Sequence, residues 1–231
     1  MRTLAIVPVK SFFEAKQRLA ASLARGSRSS LAQAMFSDVL ATLGRVRAIE
    51  SIVVVTADQA AQQLAHERAL VLHDSVQSGQ SDAAQIGIRH AIATGADRVL
   101  LVPGDTPLID PGEVQALLET AEREALGAAI VADRHRTGTN ALVLTPPDAI
   151  APSFGPGSLE RHRRLAREAD IPHRVVPVAS LEHDVDTPED LDALREALAA
   201  VRGRGQRTWG ALHQIDHARV RPPSGPVEVR A

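Results

Sequence analysis

"RVLLVPGDTPLID", residues 98–110, decides the fold. Val99 to Val102 form an apolar run without alternation, the pattern of a strand covered on both faces. Pro103 and Gly104 stop it. Asp105 then places a charge just past the strand end, and "DPGEVQALLETAERE" reads as a helix with Glu113 in its first turn. A buried strand, a short turn and a helix make half of a β-α-β unit.

The same alternation runs outward in both directions. Upstream, "TLAIVPV" (3–9), "SIVVVTAD" (51–58) and the weaker "LVLHD" (70–74) read as strands. Helices separate them: Ser29 to Val46, where Leu31, Met35, Val39 and Leu43 recur every four residues, then "DQAAQQLAHERA", then "DAAQIGIRHAIATG", which Gly95 stops. Downstream, "GAAIVADR" (127–134), "TNALVLTP" (139–146) and "HRVVPV" (173–178) read as strands. The period of "TNALVLTP" is mixed, which allows an antiparallel strand. "PGSLERHRRLAREAD" and "TPEDLDALREALAAV" (187–201) read as helices, the second with Thr187 as cap and Pro188 at its first position. The fold class that follows is α/β, Rossmann-like: a mostly parallel central sheet flanked by helices. Residues 1–201 form this domain. Residues 202–231 are rich in Gly, Pro and Arg without sustained period and read as a tail lacking regular structure.

Bulk properties narrow the function. Aromatics are 2% of the chain, so the core rests on Leu, Val, Ile and Ala. A formal charge of -2 argues against a nucleic-acid binder, which needs a basic face. With no cysteine there is no disulfide, thiolate metal site or cysteine nucleophile. The opening apolar run is too short for a signal peptide or membrane span, so a cytoplasmic location is the default. The histidines form no HExxH motif; His66, His73 and His90 are scattered and read as solvated or structural. No Ser-His-Asp arrangement can be argued from order alone.

In parallel sheets the ligand crevice lies outside the carboxyl ends of the strands. Lys10 and Asp105 both fall there. Lys10, Lys16 and Arg18 follow the first strand, with neither a P-loop nor a GxGxxG pattern around them. They suit a triphosphate; they equally suit a solvated surface. Asp105 suits a magnesium ion, which takes a few carboxylates plus phosphate and water, and equally a cap of its own turn. A metal needs a second carboxylate, and "EHDVDTPEDL" offers Asp184 and Asp186. Alternate residues of an extended segment project to one side. Asp186 also suits the start of a helix cap. "RTGTNAL" (136–142) sets Thr139 and Asn140 before a strand, and "FGPGSLERHRR" (154–164) sets Gly155, Gly157 and Ser158 before a helix. Helix-start amides and a hydroxyl suit an anion, with Arg161 or His162 adding charge; an ordinary cap needs no ligand. Two anion sites suit a reaction joining two phosphorylated molecules.

Together "LAIVPVKSFFEAKQRLA", "VLLVPGDTPLI", "GTNAL", "FGPGSLERH" and "DVDTPEDL" resemble the phosphoenolpyruvate or 2-phospho-L-lactate guanylyltransferase family, enzymes of coenzyme F-420 biosynthesis within the MobA-like nucleotidyltransferases. The resemblance covers about residues 1–200. It implies a nucleotide-diphospho-sugar transferase (glycosyltransferase-A-like) architecture and transfer of GMP from GTP to a three-carbon phosphoacid, with Mg2+ as cofactor. Lys10, Lys16, Arg18 and Asp105 then match catalytic positions. Pro8, Lys10, Lys16, Arg18, Gly79, Ser81 and Gly104 match the nucleotide side; family members often carry "GLN" where this chain has Gly79, Gln80 and Ser81. Thr139, Gly155 and Ser158 match the acceptor side, and Asp105, Asp184 and Asp186 the metal. The partners implied are GTP and the phosphoacid, with no nucleic acid and no membrane; a homodimer is compatible with the sequence. Other acceptors, such as 3-phosphoglycerate, a sugar phosphate or a molybdenum cofactor precursor, and a non-catalytic nucleotide-binding role stay open at this point.

Overall fold

The computed structural model describes residues 1–201 and 203–220. Seven strands form one sheet: β1 (Thr3–Pro8), β2 (Ile49–Thr56), β3 (Leu70–His73), β4 (Arg98–Leu101), β5 (Ala128–Ala132), β6 (Thr139–Leu144) and β7 (His173–Val175). The order is β3-β2-β1-β4-β6-β5-β7. Every pairing is parallel except those of β6, which runs antiparallel to both β4 and β5.

β1 and β4 are neighbours, yet the chain leaves them towards opposite edges of the sheet. Their carboxyl ends therefore flank a switch point, where the connecting segments diverge and leave a crevice. The reversal of β6 matters equally. Leu101 pairs with Leu142 and Ala132 with Thr139, so β6 starts at the crevice end of β4 and β5. Thr139 and Asn140 are thus brought beside the segment that follows β4.

Successive residues of each central strand feed two apolar cores, as the period of two demands. Ala5, Val7, Val54, Leu100 and Val102 face α1 (Arg25–Leu43), α2 (Gln59–Ala65), α4 (Pro111–Arg123) and α6 (Pro188–Ala200). Leu4, Ile6, Val53, Val55, Val99 and Leu101 face α3 (Gln80–Ala93) and α5 (Ser158–Glu168). Both faces of the sheet are covered, which accounts for the unbroken apolar runs.

Two boundaries differ from the sequence reading. Helix α1 starts at Arg25 and not at Ser29; Ala24 precedes it without a side-chain cap, and the buried Arg28 donates to the carbonyl of Leu23 instead. The expectation of an irregular tail fails for Gln206–Val220, which form α7. Leu212 and Ile215 bury their side chains in the core on the α1 side. The acceptors for the first amides of α7 come from outside the helix: Asp38 of α1 receives the N–H groups of Arg207 at 3.2 Å and Thr208 at 2.9 Å, and the Thr208 hydroxyl at 2.7 Å. This cap joins residues 169 and 170 positions apart, which a local pattern cannot show. Residues 221–231 of the expected tail lie outside the described residues.

Candidate active site

A cleft of about 950 Å3 opens at the carboxyl ends of β1, β2 and β4 and the start of β6. Pro8, Lys10, Lys16, Arg18, Gly79, Gly104, Asp105, Thr139, Gly155, Ser158, Asp184 and Asp186 all line it. The fold thus gathers the five motifs into one cavity. Ser81 is the exception among the expected residues: its hydroxyl accepts the Phe154 amide at 2.9 Å and ties the start of α3 to the 153–157 turn.

The segment after β1 is tethered at its base. Asp58 caps α2 through Ala61 N–H and also receives Phe12 N–H, both at 2.9 Å. Phe12 is buried against Phe36, with ring centroids 5.7 Å apart. Lys10 and Arg18 remain exposed at the cleft. Lys16 differs. Its backbone is left-handed (φ 57°), and its ammonium is turned inward to pair with Asp105 and, at 3.1 Å, with Asp186. Burial by itself would lower the pKa of this group, but the charges of Asp105 and Asp186 and hydrogen bonds to both outweigh it and hold Lys16 above its usual value.

The turn before Asp105 packs closely on α1 at Gly104. A Cβ at Gly104 would lie 3.1 Å from the Phe36 ring, so a side chain there requires the ring to shift by a few tenths of an ångström. Asp105 accepts no backbone N–H of its own turn among the described residues, its partner being Lys16; Asp110 caps α4, accepting from Gly112 and Glu113. Nor does Asp186 cap α6. Thr187 does, in a capping box with Asp190. Asp184 accepts from Asn140 Nδ2 at 3.2 Å. Burial first, then the charge of Asp105, raises its pKa to about 6. The donors are all oxygen, the type magnesium takes. Among the described residues, however, no group of three or more His, Cys, Asp or Glu side chains is placed to hold a metal by itself.

The acceptor side is built differently from the sequence expectation of free helix-start amides. Gly157 (φ 72°) precedes α5, and the amides of Ser158 and Leu159 are already taken by the carbonyls of Gly155 and Thr137, at 3.0 and 3.2 Å. Arg161 does not offer its charge to the cleft either; its guanidinium donates to the carbonyls of Ser153, Phe154, Gly155 and Pro156 and so fixes the turn. The hydroxyls remain. Ser158, 1% exposed, accepts Thr139 N–H at 2.9 Å, and Thr139 Oγ1 lies 3.0 Å from His162 Nδ1.

One residue of this cavity carries a signal that the sequence reading did not use. Asp74 follows β3 as Asp105 follows β4, lines the cleft and is 7% exposed. One of its oxygens accepts Gln77 N–H at 2.9 Å; the other has no hydrogen-bond partner among the described residues. His162 is fully buried, and burial, then Arg161, lowers its pKa to about 4. It adds no charge.

The family described as Guanylyl transferase CofC like matches residues 3–227. The chain belongs to that family. It is 47% identical over 219 residues to the phosphoenolpyruvate guanylyltransferase of Conexibacter woesei, covering 93% of this chain and 97% of the relative. It is 33% identical to the 2-phospho-L-lactate guanylyltransferase of Methanothermobacter thermautotrophicus, covering 83% of each. Solved structures agree on the fold. A CMP:2-keto-3-deoxy-manno-octonic acid synthetase complexed with CTP superposes with a TM-score of 0.60 at 14% identity, over 87% of this chain and 99% of that one. A 4-diphosphocytidyl-2C-methyl-D-erythritol synthase gives 0.57 at 15%, over 85% and 99%. The nucleotide-diphospho-sugar transferase type of sheet is therefore the architecture of this CofC-family chain.

Proposed function

We propose that this protein transfers GMP from GTP to phosphoenolpyruvate, releasing diphosphate, in coenzyme F-420 biosynthesis. The observation that carries the reading is the order β1-β4-β6 across the cleft. The cationic strap follows β1, Asp105 follows β4, and the hydroxyl of Thr139 starts β6. A nucleotide triphosphate on one flank and an acceptor anion on the other would meet at the carboxylates. Relatives named for phosphoenolpyruvate, 2-phospho-L-lactate and 3-phospho-D-glycerate, at 47%, 33% and 30% identity, support a three-carbon phosphoacid and favour phosphoenolpyruvate.

Lys10 and Arg18 are free to bind the triphosphate through long, mobile side chains. Asp105, with Asp184 or Asp186, would hold magnesium, which would neutralise charge between the phosphates when bound. An oxygen of the acceptor phosphate attacks the α-phosphorus of GTP. The new P–O bond forms as the bond to the β-phosphate's bridging oxygen breaks, and its electron pair leaves with diphosphate. A phosphomonoester has a second pKa of about 6, so its oxygen is already anionic and no protein base is needed. The work of the chain is positioning and charge. Asp74 supplies a reason for guanine: a carboxylate suits the N1–H and N2–H donors of that base, an edge where adenine offers an acceptor.

The test is diphosphate release over GTP, ATP, CTP and UTP, each with phosphoenolpyruvate, 2-phospho-L-lactate and 3-phosphoglycerate. GTP with phosphoenolpyruvate should be fastest, and Asp74→Asn should narrow the preference for GTP over ATP. No release with any of the three acids, or a preference for another nucleotide, overturns the reading.

A further inference from the structure

The sequence offers Arg161 or His162 as a charge near the anion site; the structure gives His162 a different part. Its Nε2 accepts the backbone N–H of Ser153 at 2.9 Å. An imidazole nitrogen that accepts an N–H carries no proton itself, so the neutral ring must bear its proton on Nδ1. The Nδ1–H then donates to Thr139 Oγ1, 3.0 Å away. The Thr139 hydroxyl cannot donate back to that nitrogen. Its own proton is left for another partner, and Thr139 lines the cleft.

We propose that His162 is a positioning residue for the acceptor: by donating from Nδ1 to Thr139 Oγ1, it directs the Thr139 O–H into the cleft as a hydrogen-bond donor to an oxyanion of the phosphoacid. This rests on the functional reading above, and it names the device by which that site selects an anion without a cation. Ser158 works in parallel. Its oxygen accepts Thr139 N–H, which leaves the Ser158 O–H as a donor too. Two hydroxyls are thereby made donors from behind, one at the start of β6 and one at the start of α5, where the amides of Ser158 and Leu159 are already taken. The ring is held by more than its nitrogens. Phe154 packs edge-on at 5.3 Å, and the fully buried His162 stays neutral near pH 7.

Two variants separate the ring's two nitrogens. His162→Asn keeps a donor near the Nδ1 position and loses the acceptor for Ser153. His162→Gln keeps an acceptor near the Nε2 position and loses the donor to Thr139. His162→Gln should raise the KM for phosphoenolpyruvate about tenfold, the size of one neutral hydrogen bond, with the KM for GTP within about twofold of wild type. His162→Asn should stay near wild type in both. In a Thr139→Val background, His162→Gln should add nothing further. Nitrogen-15 spectra of the wild type should show a neutral, Nδ1-protonated His162 at pH 7. An Nε2-protonated ring, or an undiminished His162→Gln effect in the Thr139→Val background, overturns the assignment. So does an unchanged acceptor KM in His162→Gln beside an active wild type. A wild type that uses none of the three acids instead sinks the functional reading, while the tautomer measurement still judges the ring.

Discussion

The ammonium of Lys16 lies 3.1 Å from Asp186 Oδ1 and pairs on its other side with Asp105. A cation expected to serve the triphosphate is thus engaged by the two carboxylates expected to serve a metal. Loss of Lys16 leaves both acids without their shared positive charge. Lys16→Gln should destabilise the ligand-free protein by about 1–2 kcal/mol, less than a fully buried pair because Asp186 is half exposed. Millimolar Mg2+ should restore most of this loss, since a divalent ion replaces the missing charge. Thermal unfolding with and without Mg2+ reads both effects. A Lys16→Gln protein as stable as wild type without metal would show that the ion pair holds nothing together.

Asp184 points to a site whose repulsion is built in. Its pKa of about 6 reflects burial and the nearby charge of Asp105. A raised carboxylate pKa means the folded state resists ionisation, so ionised Asp184 opposes folding at neutral pH. Asp184→Asn keeps an oxygen for Asn140 and removes the charge. Stability at pH 7 should rise by up to roughly 3 kcal/mol while turnover falls, the trade-off common at functional sites. Paired melting and diphosphate-release assays at pH 7 check it; a variant that melts lower than wild type contradicts the electrostatic account.

His162 makes the opposite pH contribution. Its folded pKa is about 4, below the unfolded value of about 6.5, so the unfolded chain binds more protons between these limits. The stability contribution is whole above about pH 6.5 and is lost as pH falls towards 4, by roughly 3 kcal/mol in all. Asp184 gains stability over part of the same range, so the wild-type curve alone is ambiguous. The difference between wild type and His162→Asn is not. Urea midpoints at pH 7 and pH 4.5 should converge for the two proteins as pH drops. Parallel curves would mean His162 titrates normally.

In the sequence Ser158 is a helix-start hydroxyl suited to an anion. The structure makes it the acceptor for the buried Thr139 amide. Ser158→Ala leaves that N–H without a partner, which costs about 1–3 kcal/mol of stability, and removes a donor from the cleft. Ser158→Thr keeps the hydroxyl and should recover part of both. Unfolding midpoints and acceptor titrations on the two variants measure this; an Ala variant with wild-type stability and acceptor KM would mean the amide finds another partner.

The fold was legible because the strands are covered on both faces and announce themselves as unbroken apolar runs. The crevice residues were legible through position alone: Lys10 and Asp105 each follow a strand, and β6 brings Thr139 to them by running backwards. What the sequence hid is pairing across distance. Nothing near Lys16 says that it turns to Asp186, 170 positions away. Nothing in "FGPGSLERH" says that its amides are used within the turn. Asp74 had the same signal as Asp105, a carboxylate past a strand end, but β3 is short and half exposed and so only weakly marked. His162 stands one turn into a helix, where a cation suits an anion site, whereas burial decides its charge.

The relation of Asp38 to Thr208 extends the active domain past Val201. Asp38 is 6% exposed and receives three donors from the start of α7. The segment just before that helix braces the turn that carries Asp105. Arg204 pairs with Asp110 at 2.8 Å, and a Cβ on Gly205 would lie 3.3 Å from the Pro107 carbonyl, so backbone meets backbone there. Asp38→Asn exchanges an acceptor for a donor facing donors and removes a charge favourable at a helix start. It should destabilise the protein by about 2–3 kcal/mol. The distinguishing readout is local. Hydrogen exchange should quicken at residues 103–110 as well as in α7, and turnover should fall although Asp38 lies outside the cleft lining. Truncation after Val201 should do the same more severely, since Leu212 and Ile215 then leave the core and each buried aliphatic side chain is worth about 1.5–3 kcal/mol. If exchange quickens in α7 alone while residues 103–110 and turnover stay as in wild type, α7 stabilises the domain without bracing Asp105.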